Sequence, residues 1–139
     1  VAKPETSFRT GIEKYLPQGI HHEKMNNPYS SGTADSWYSG NRGDLWVEYK
    51  FLPQTPLRAI VHLTPDKTRT SKHLSVLQEK WLRGRYEEGR TVAVVVGCPD
   101  GGIILRDQEW EWEYTPQMFR DRLLPRKSIA QWIAQTTQR

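Results

Sequence analysis

The chain has 139 residues, 36% hydrophobic and 26% charged, with a formal net charge of +4. That length and balance suit one domain with a single core, and no apolar run approaches the roughly 20 residues of a membrane span. A lone cysteine, Cys98, excludes an intrachain disulfide, and the four histidines show no metal-ligand spacing.

The opening Val1-Ala2-Lys3-Pro4-Glu5-Thr6 does not read as a signal peptide, so a reducing, cytoplasmic setting is expected. The charge is unevenly spread. Lys50, Arg58, Lys67, Arg69, Lys72, Lys80, Arg83, Arg85 and Arg90 crowd the middle, whereas Glu109, Glu111 and Glu113 make a later segment acidic. Such asymmetry suits a polyanion on one face.

Taken in chain order, Thr6 or Ser7 is placed to cap a first helix that runs to about Leu16, where Pro17 and Gly19 stop it. Phe8, Ile12 and Tyr15 or Leu16 form its apolar stripe. Residues 20–25 read as a strand, followed by a polar loop through Asn26-Asn27-Pro28. Residues 34–39 and 44–51 alternate on either side of Gly40-Asn41-Arg42-Gly43, the pattern of a β-hairpin. Pro53, Pro56 and Pro65 mark an irregular connection, with residues 57–63 compatible with a short strand.

Residues 74–86 have helical spacing, with Leu74, Leu77, Trp81 and Leu82 on one side and Lys80, Arg83 and Arg85 elsewhere. The β-branched run 91–96 predicts a central strand buried on both faces. The helical connection before it is long enough for that strand to lie parallel to the Glu48 strand. Gly101-Gly102 leads into another strand at Ile103-Ile104-Leu105, and 109–114 alternates acid and aromatic as an edge strand would. Residues 116–124 and 128–135 read as short helices, the second with Ser128 and Gln131 in a capping pattern. The expected fold is an α/β class architecture with a central mixed β-sheet flanked by helices. It fills one domain over 1–139, with a core at about 5–105 and a C-terminal strand and helices at 106–139.

The hairpin carries the chemistry. If Gly40 pairs with Gly43, Trp37 faces Trp46 and Asp35 faces Glu48, with Cβ atoms about 4.5–5.5 Å apart. Two carboxylates that close repel unless a cation or a proton lies between them. Lys50, two residues beyond Glu48, shares its face. Two acids and a lysine on one sheet face suit a divalent metal beside a phosphodiester. Asp44 shares the face too but lies about 13 Å along the strand, at the turn. On the first helix, at about 100° per residue, Glu5 falls on the apolar stripe, where an acid needs a partner, and Glu13 lies off it.

Asp35, Glu48-Tyr49-Lys50 and Leu74-Ser75-Val76-Leu77-Gln78 together resemble the PD-(D/E)XK nucleases, and among them the VRR-NUC and archaeal Holliday-junction-resolvase branches. Ala34 stands where the family's name has proline. The resemblance covers roughly residues 5–105 and implies a restriction-endonuclease-like α-β-β-β-α-β core. The chain is also similar to small phage-type nucleases, some of which act as homing endonucleases.

Carried over, the resemblance makes Glu5, Asp35, Glu48, Lys50 and Gln78 catalytic. Asp35, Glu48 and the Tyr49 carbonyl would bind Mg²⁺ or Mn²⁺, while Lys50 and Gln78 would orient water or phosphate. Lys67, Arg69, Lys72, His73, Lys80, Arg83 and Arg85 are the expected contacts to nucleic acid. The expected activity is a metal-dependent DNA endonuclease, read first as a phage-type homing enzyme. Junction resolution, or a catalytically silent nucleic-acid-binding module, is the alternative. The expected partners are DNA and a second copy of the chain, with no membrane and no small-molecule cofactor.

Overall fold

The computed structural model describes residues 3–25, 32–65 and 73–139. Chain order gives helix α1 (Pro4–Glu13), strands β1 (His21–Lys24), β2 (Ser36–Ser39), β3 (Asp44–Phe51) and β4 (Val61–His62), then helix α2 (Val76–Glu87). Strands β5 (Val92–Cys98) and β6 (Gly101–Arg106), a 3₁₀ turn (Glu109–Glu111) and strand β7 (Glu113–Tyr114) follow. Helices α3 (Pro116–Asp121) and α4 (Arg126–Thr137) end the chain. Five strands form a mixed sheet in the order β1-β2-β3-β5-β6, in which only β3 and β5 are parallel. The segment carrying α2 connects these two, as the crossover length required.

The hairpin register is the one its turn dictates. Gly40 N–H donates to the Gly43 carbonyl at 3.1 Å, and Trp37 pairs with Trp46. From that register every side chain of β3 is assigned a face. Leu45, Val47 and Tyr49 point to one side, where Phe8 and Ile12 of α1 and Ile129 and Ile133 of α4 complete a core. Trp46, Glu48 and Lys50 point to the other. There Val92, Val94 and Val96 of β5 pack with Leu74, Leu82, Trp110 and Phe119. Strand β5 is buried along its whole length because both layers close on it. Phe8 lies so close to Gly97 that a Cβ there would come within 2.6 Å of its ring, so this glycine sets how near α1 approaches the sheet.

Several boundaries depart from expectation. The first helix begins at Pro4 rather than after Thr6 or Ser7, because proline is pre-set for the first helical position and lacks the amide that would need a cap. Likewise α4 starts directly after Pro125, so Ser128 lies inside the helix and does not cap it. Residues 109–114 do not form an edge strand of the main sheet. Asp107 and Gln108 adopt φ values of 54° and 66°, which turn the chain out of the strand direction. A 3₁₀ turn follows, and Glu113–Tyr114 pairs with Val61–His62 in a separate two-stranded sheet. The short strand expected at 57–63 is confined to those two residues. Trp110 belongs to the core, whereas Trp112 is 54% exposed.

Candidate active site

The site is built where β2 stops. Its ladder with β3 ends at the Ser36–Val47 pair, so Asp35 lies just outside the strand. The Asp35 carboxylate accepts a hydrogen bond from the Tyr49 amide at 3.2 Å, replacing the lost strand partner. Trp46 and Leu52 direct their amides to β5. By alternation, the Tyr49 peptide groups point toward β2, beyond its last paired residue.

Glu48 and Lys50 follow on the same face, 1% and 7% exposed. Lys50 Nζ lies 3.7 Å from Glu48 Oε2. Gln78 joins them from α2: its Nε2 donates to Glu48 Oε2 at 3.1 Å, and its Oε1 accepts from Lys50 Nζ at 3.2 Å. The same Oε1 accepts from the Ser75 amide, while Ser75 Oγ accepts from the Gln78 amide, so Gln78 also completes the capping box of α2. One side chain thus ties the start of the helix to both charged residues of β3. Gly32, at φ 90°, is packed so tightly against the Leu77 carbonyl that a Cβ would approach it to 2.4 Å. That contact seats the approach to Asp35 on the same helix start.

The electrostatics are unfavourable by design of the neighbours. Burial raises the Glu48 carboxyl well above its usual range, Asp35 raises it further, and Lys50 offsets part of this. Glu5 is also raised, chiefly by burial and then by Asp35, with Lys50 and Lys24 acting against it. Among the described residues, Glu48 Oε1 is buried and has no hydrogen-bond partner. A buried carboxylate oxygen left unpaired costs about 1–3 kcal/mol or more.

Among the described residues no three His, Cys, Asp and Glu side chains converge into a complete metal cage. Mg²⁺ does not require one, since it keeps several waters and is held by one or two carboxylates together with substrate phosphate. The donors here are all hard oxygens, and the orphaned Glu48 Oε1 beside Asp35 fits such a cation.

The helix acids are separated by the structure. Glu5, Lys24 and Asp35 line one small crevice. Glu13 instead accepts from Arg9 at 3.0 Å and from the Tyr38 hydroxyl at 2.8 Å, on the side of the sheet opposite Glu48. Asp44 is exposed, accepts from Ser39 Oγ at 2.6 Å, and lies at the far end of β3.

The expected basic contacts are scattered. Lys67, Arg69 and Lys72 lie outside the described residues. His73 packs against His62, with ring centroids 4.8 Å apart. Lys80 is exposed. Arg83 is committed to Glu111, which links α2 to the 3₁₀ turn, and Arg85 pairs with Glu88 at 3.1 Å. Sequence reasoning missed Lys24, whose only signal was its place at the end of the first strand.

No known protein-family model matches this sequence, and no curated protein does. Among solved structures, Hjc of Archaeoglobus fulgidus, a Holliday junction resolvase from an archaeal hyperthermophile, matches 93% of this chain and 97% of its own. The TM-score is 0.52 at 12% sequence identity. At that identity the likeness is one of fold. The chain has the restriction-endonuclease-like α/β fold of that resolvase, with a mixed five-stranded sheet between helices.

Proposed function

We propose that this protein is a divalent-metal-dependent endonuclease of the PD-(D/E)XK superfamily that cuts branched DNA. The observation that carries the reading is the buried Glu48 carboxylate, with one oxygen unpaired and a second acid, Asp35, beside it. Asp35, Glu48 and the Tyr49 carbonyl would hold Mg²⁺ or Mn²⁺. When bound, such an ion supplies a Lewis acid that polarises the scissile phosphate and acidifies a water.

The chain's own groups do the rest. Gln78 fixes both Glu48 and Lys50, so the ammonium is positioned before substrate arrives. Lys50 then stabilises the charge that develops on the phosphate oxygens, in a setting where it needs no reorganisation. Glu5 adds a third acid next to Asp35 and helps to hold water at the entrance. His73, Lys80 and Arg85, with Lys67, Arg69 and Lys72, supply contacts to the DNA backbone, so binding weakens steeply with salt. One such site cuts one strand. Paired cuts across a junction therefore call for two copies of the chain related by a two-fold axis.

The fold shared with a Holliday junction resolvase favours branched DNA over the phage-type homing reading, which rests on resemblance alone. The test is cleavage of a four-way junction and a linear duplex of the same arm sequences, with Mg²⁺, Mn²⁺ or EDTA. The expected result is metal-dependent cutting of the junction with the duplex spared. Cutting of the duplex at one sequence, with the junction ignored, would favour homing. DNA binding without cutting of either would leave only a silent binding module.

A further inference from the structure

Beyond the cluster of acids, the same sheet face continues into aromatic residues. Trp46 precedes Glu48 by two residues, so it shares that face about 7 Å along the strand. Trp37 stacks on Trp46 with ring centroids 5.9 Å apart and planes at 21°, and Trp81 of α2 meets Trp46 edge-on at 5.7 Å. Gln78, Trp81 and Arg85 are spaced i, i+3, i+7, one row on the helix. That row runs antiparallel over the β3 row Lys50, Glu48, Trp46, Asp44. The helix and the strand therefore continue from the acids into a cleft of about 670 Å³ lined by Trp46, Trp81, Arg85, Arg90, Asp44 and Thr91.

The cleft combines three features. Its size is within the range of small-molecule sites, roughly 300–1,000 Å³. Its wall is aromatic: Trp46 and Trp81 line it and remain partly exposed, although an equally large Trp110 is wholly buried in the core. Its rim is basic: the Arg85 guanidinium lies 6.0 Å from the Trp81 ring centre, and Arg90 is exposed and makes no ion pair among the described residues. Bases that leave a duplex are held by stacking on aromatic rings and on arginine planes, with cations on the neighbouring phosphates. Asp44 at the mouth is already engaged, accepting from Ser39 Oγ at 2.6 Å.

We propose that this cleft is a subsite for one unpaired nucleotide of the DNA strand, displaced next to the scissile phosphate. The base lies against Trp46 and Trp81, flanked by the Arg85 guanidinium on Trp81, and Arg90 holds its phosphate. The assignment rests on the nuclease reading for the meaning of the neighbouring acids. It also gives that reading a substrate feature, since a strand is unpaired at a branch point and paired in a linear duplex.

The test is equilibrium binding in EDTA, where no cutting is required. Tryptophan fluorescence is titrated with the hexanucleotide (dT)₆ and with an abasic chain of the same length. The expected result is saturable binding in which (dT)₆ exceeds the abasic chain by about tenfold, a typical worth for one base on an aromatic ring. In Trp81→Leu, which keeps an apolar side chain on α2, that tenfold preference is lost. Arg90→Ala, at an exposed position that should not disturb folding, weakens both ligands equally by about threefold. Equal affinity of the wild type for the two chains would overturn the proposal, as would full retention of the preference in Trp81→Leu. Binding with the expected preference in a protein that cuts no DNA would support the subsite while overturning the nuclease reading. Metal-dependent cutting without the preference would do the reverse.

Discussion

Two adjacent residues of β3 open onto opposite sides of the sheet, and the polar clusters they enter differ in one respect. Tyr49 shares a hydrogen bond of 2.7 Å with the Tyr38 hydroxyl, Tyr38 donates to Glu13, and Glu13 is closed off by Arg9 at 3.0 Å. Burial pushes both tyrosine hydroxyls up, so they stay protonated, and both carboxylate oxygens of Glu13 have donors. Glu48, one residue earlier, has donors for Oε2 and, among the described residues, none for Oε1. A satisfied buried network specifies a fold, whereas a half-satisfied one is destabilising unless a ligand completes it. The contrast separates a cluster that is satisfied by the chain's own groups from one that leaves an acid oxygen unmet.

Substitutions on the two sides should therefore separate activity from stability. The largest expected effect is that of Lys50→Ala on cleavage. Removing a positioned cation from the developing phosphate charge should lower the single-turnover rate about 10²–10³-fold, with DNA affinity little changed. An unchanged rate would remove Lys50 from the site.

Tyr38→Phe should act oppositely. It strips a donor from buried Glu13 and a partner from Tyr49, and should destabilise the fold by about 1–3 kcal/mol in chemical denaturation. Cleavage at a temperature where the variant is folded should stay within about twofold of wild type. Lost cleavage without lost stability would mean that the two clusters are not independent.

The smallest effect is expected at Arg83. Because its guanidinium is committed to Glu111 and Glu79, Arg83→Ala should leave the salt dependence of DNA binding unchanged. A fall of about one in the slope of log affinity against log salt would instead place Arg83 on a phosphate.

The parts of this contrast differ in how far the sequence revealed them. Asp35, Glu48 and Lys50 were legible because a four-residue turn fixes the register and period 2 does the rest. An acid on an apolar helical stripe is conspicuous, and the structure places Glu5 near Asp35. The Tyr38–Glu13 contact was not legible, since it joins residues 25 apart through the stacking of α1 on the sheet, which no local period encodes. The sequence 109–114 misled for a different reason. Alternating acid and aromatic residues have the strand period, yet two left-handed residues before them redirect the backbone, and neither Asp107 nor Gln108 announces that. The Trp81 cleft was half visible: Trp81 was assigned to the apolar side of its helix, but its meeting with Trp46 depends on how α2 crosses β3.

Burial of Glu48 beside Asp35 makes its ionised form costly to the metal-free fold. Glu48→Gln in thermal unfolding, with EDTA and with Mg²⁺, tests this most directly. A carboxyl whose folded value lies above the usual 4.5 binds its proton more tightly folded than unfolded. Its contribution to stability is therefore greatest below that pH and is lost as pH rises through the folded value. In EDTA, Glu48→Gln should melt above wild type by a few degrees, and the gap should widen from pH 4.5 to pH 8. Mg²⁺ should raise the melting temperature of wild type and leave that of the variant unchanged, because only the carboxylate gains a ligand. A variant that melts below wild type in EDTA at every pH, and gains as much from Mg²⁺, would contradict the account.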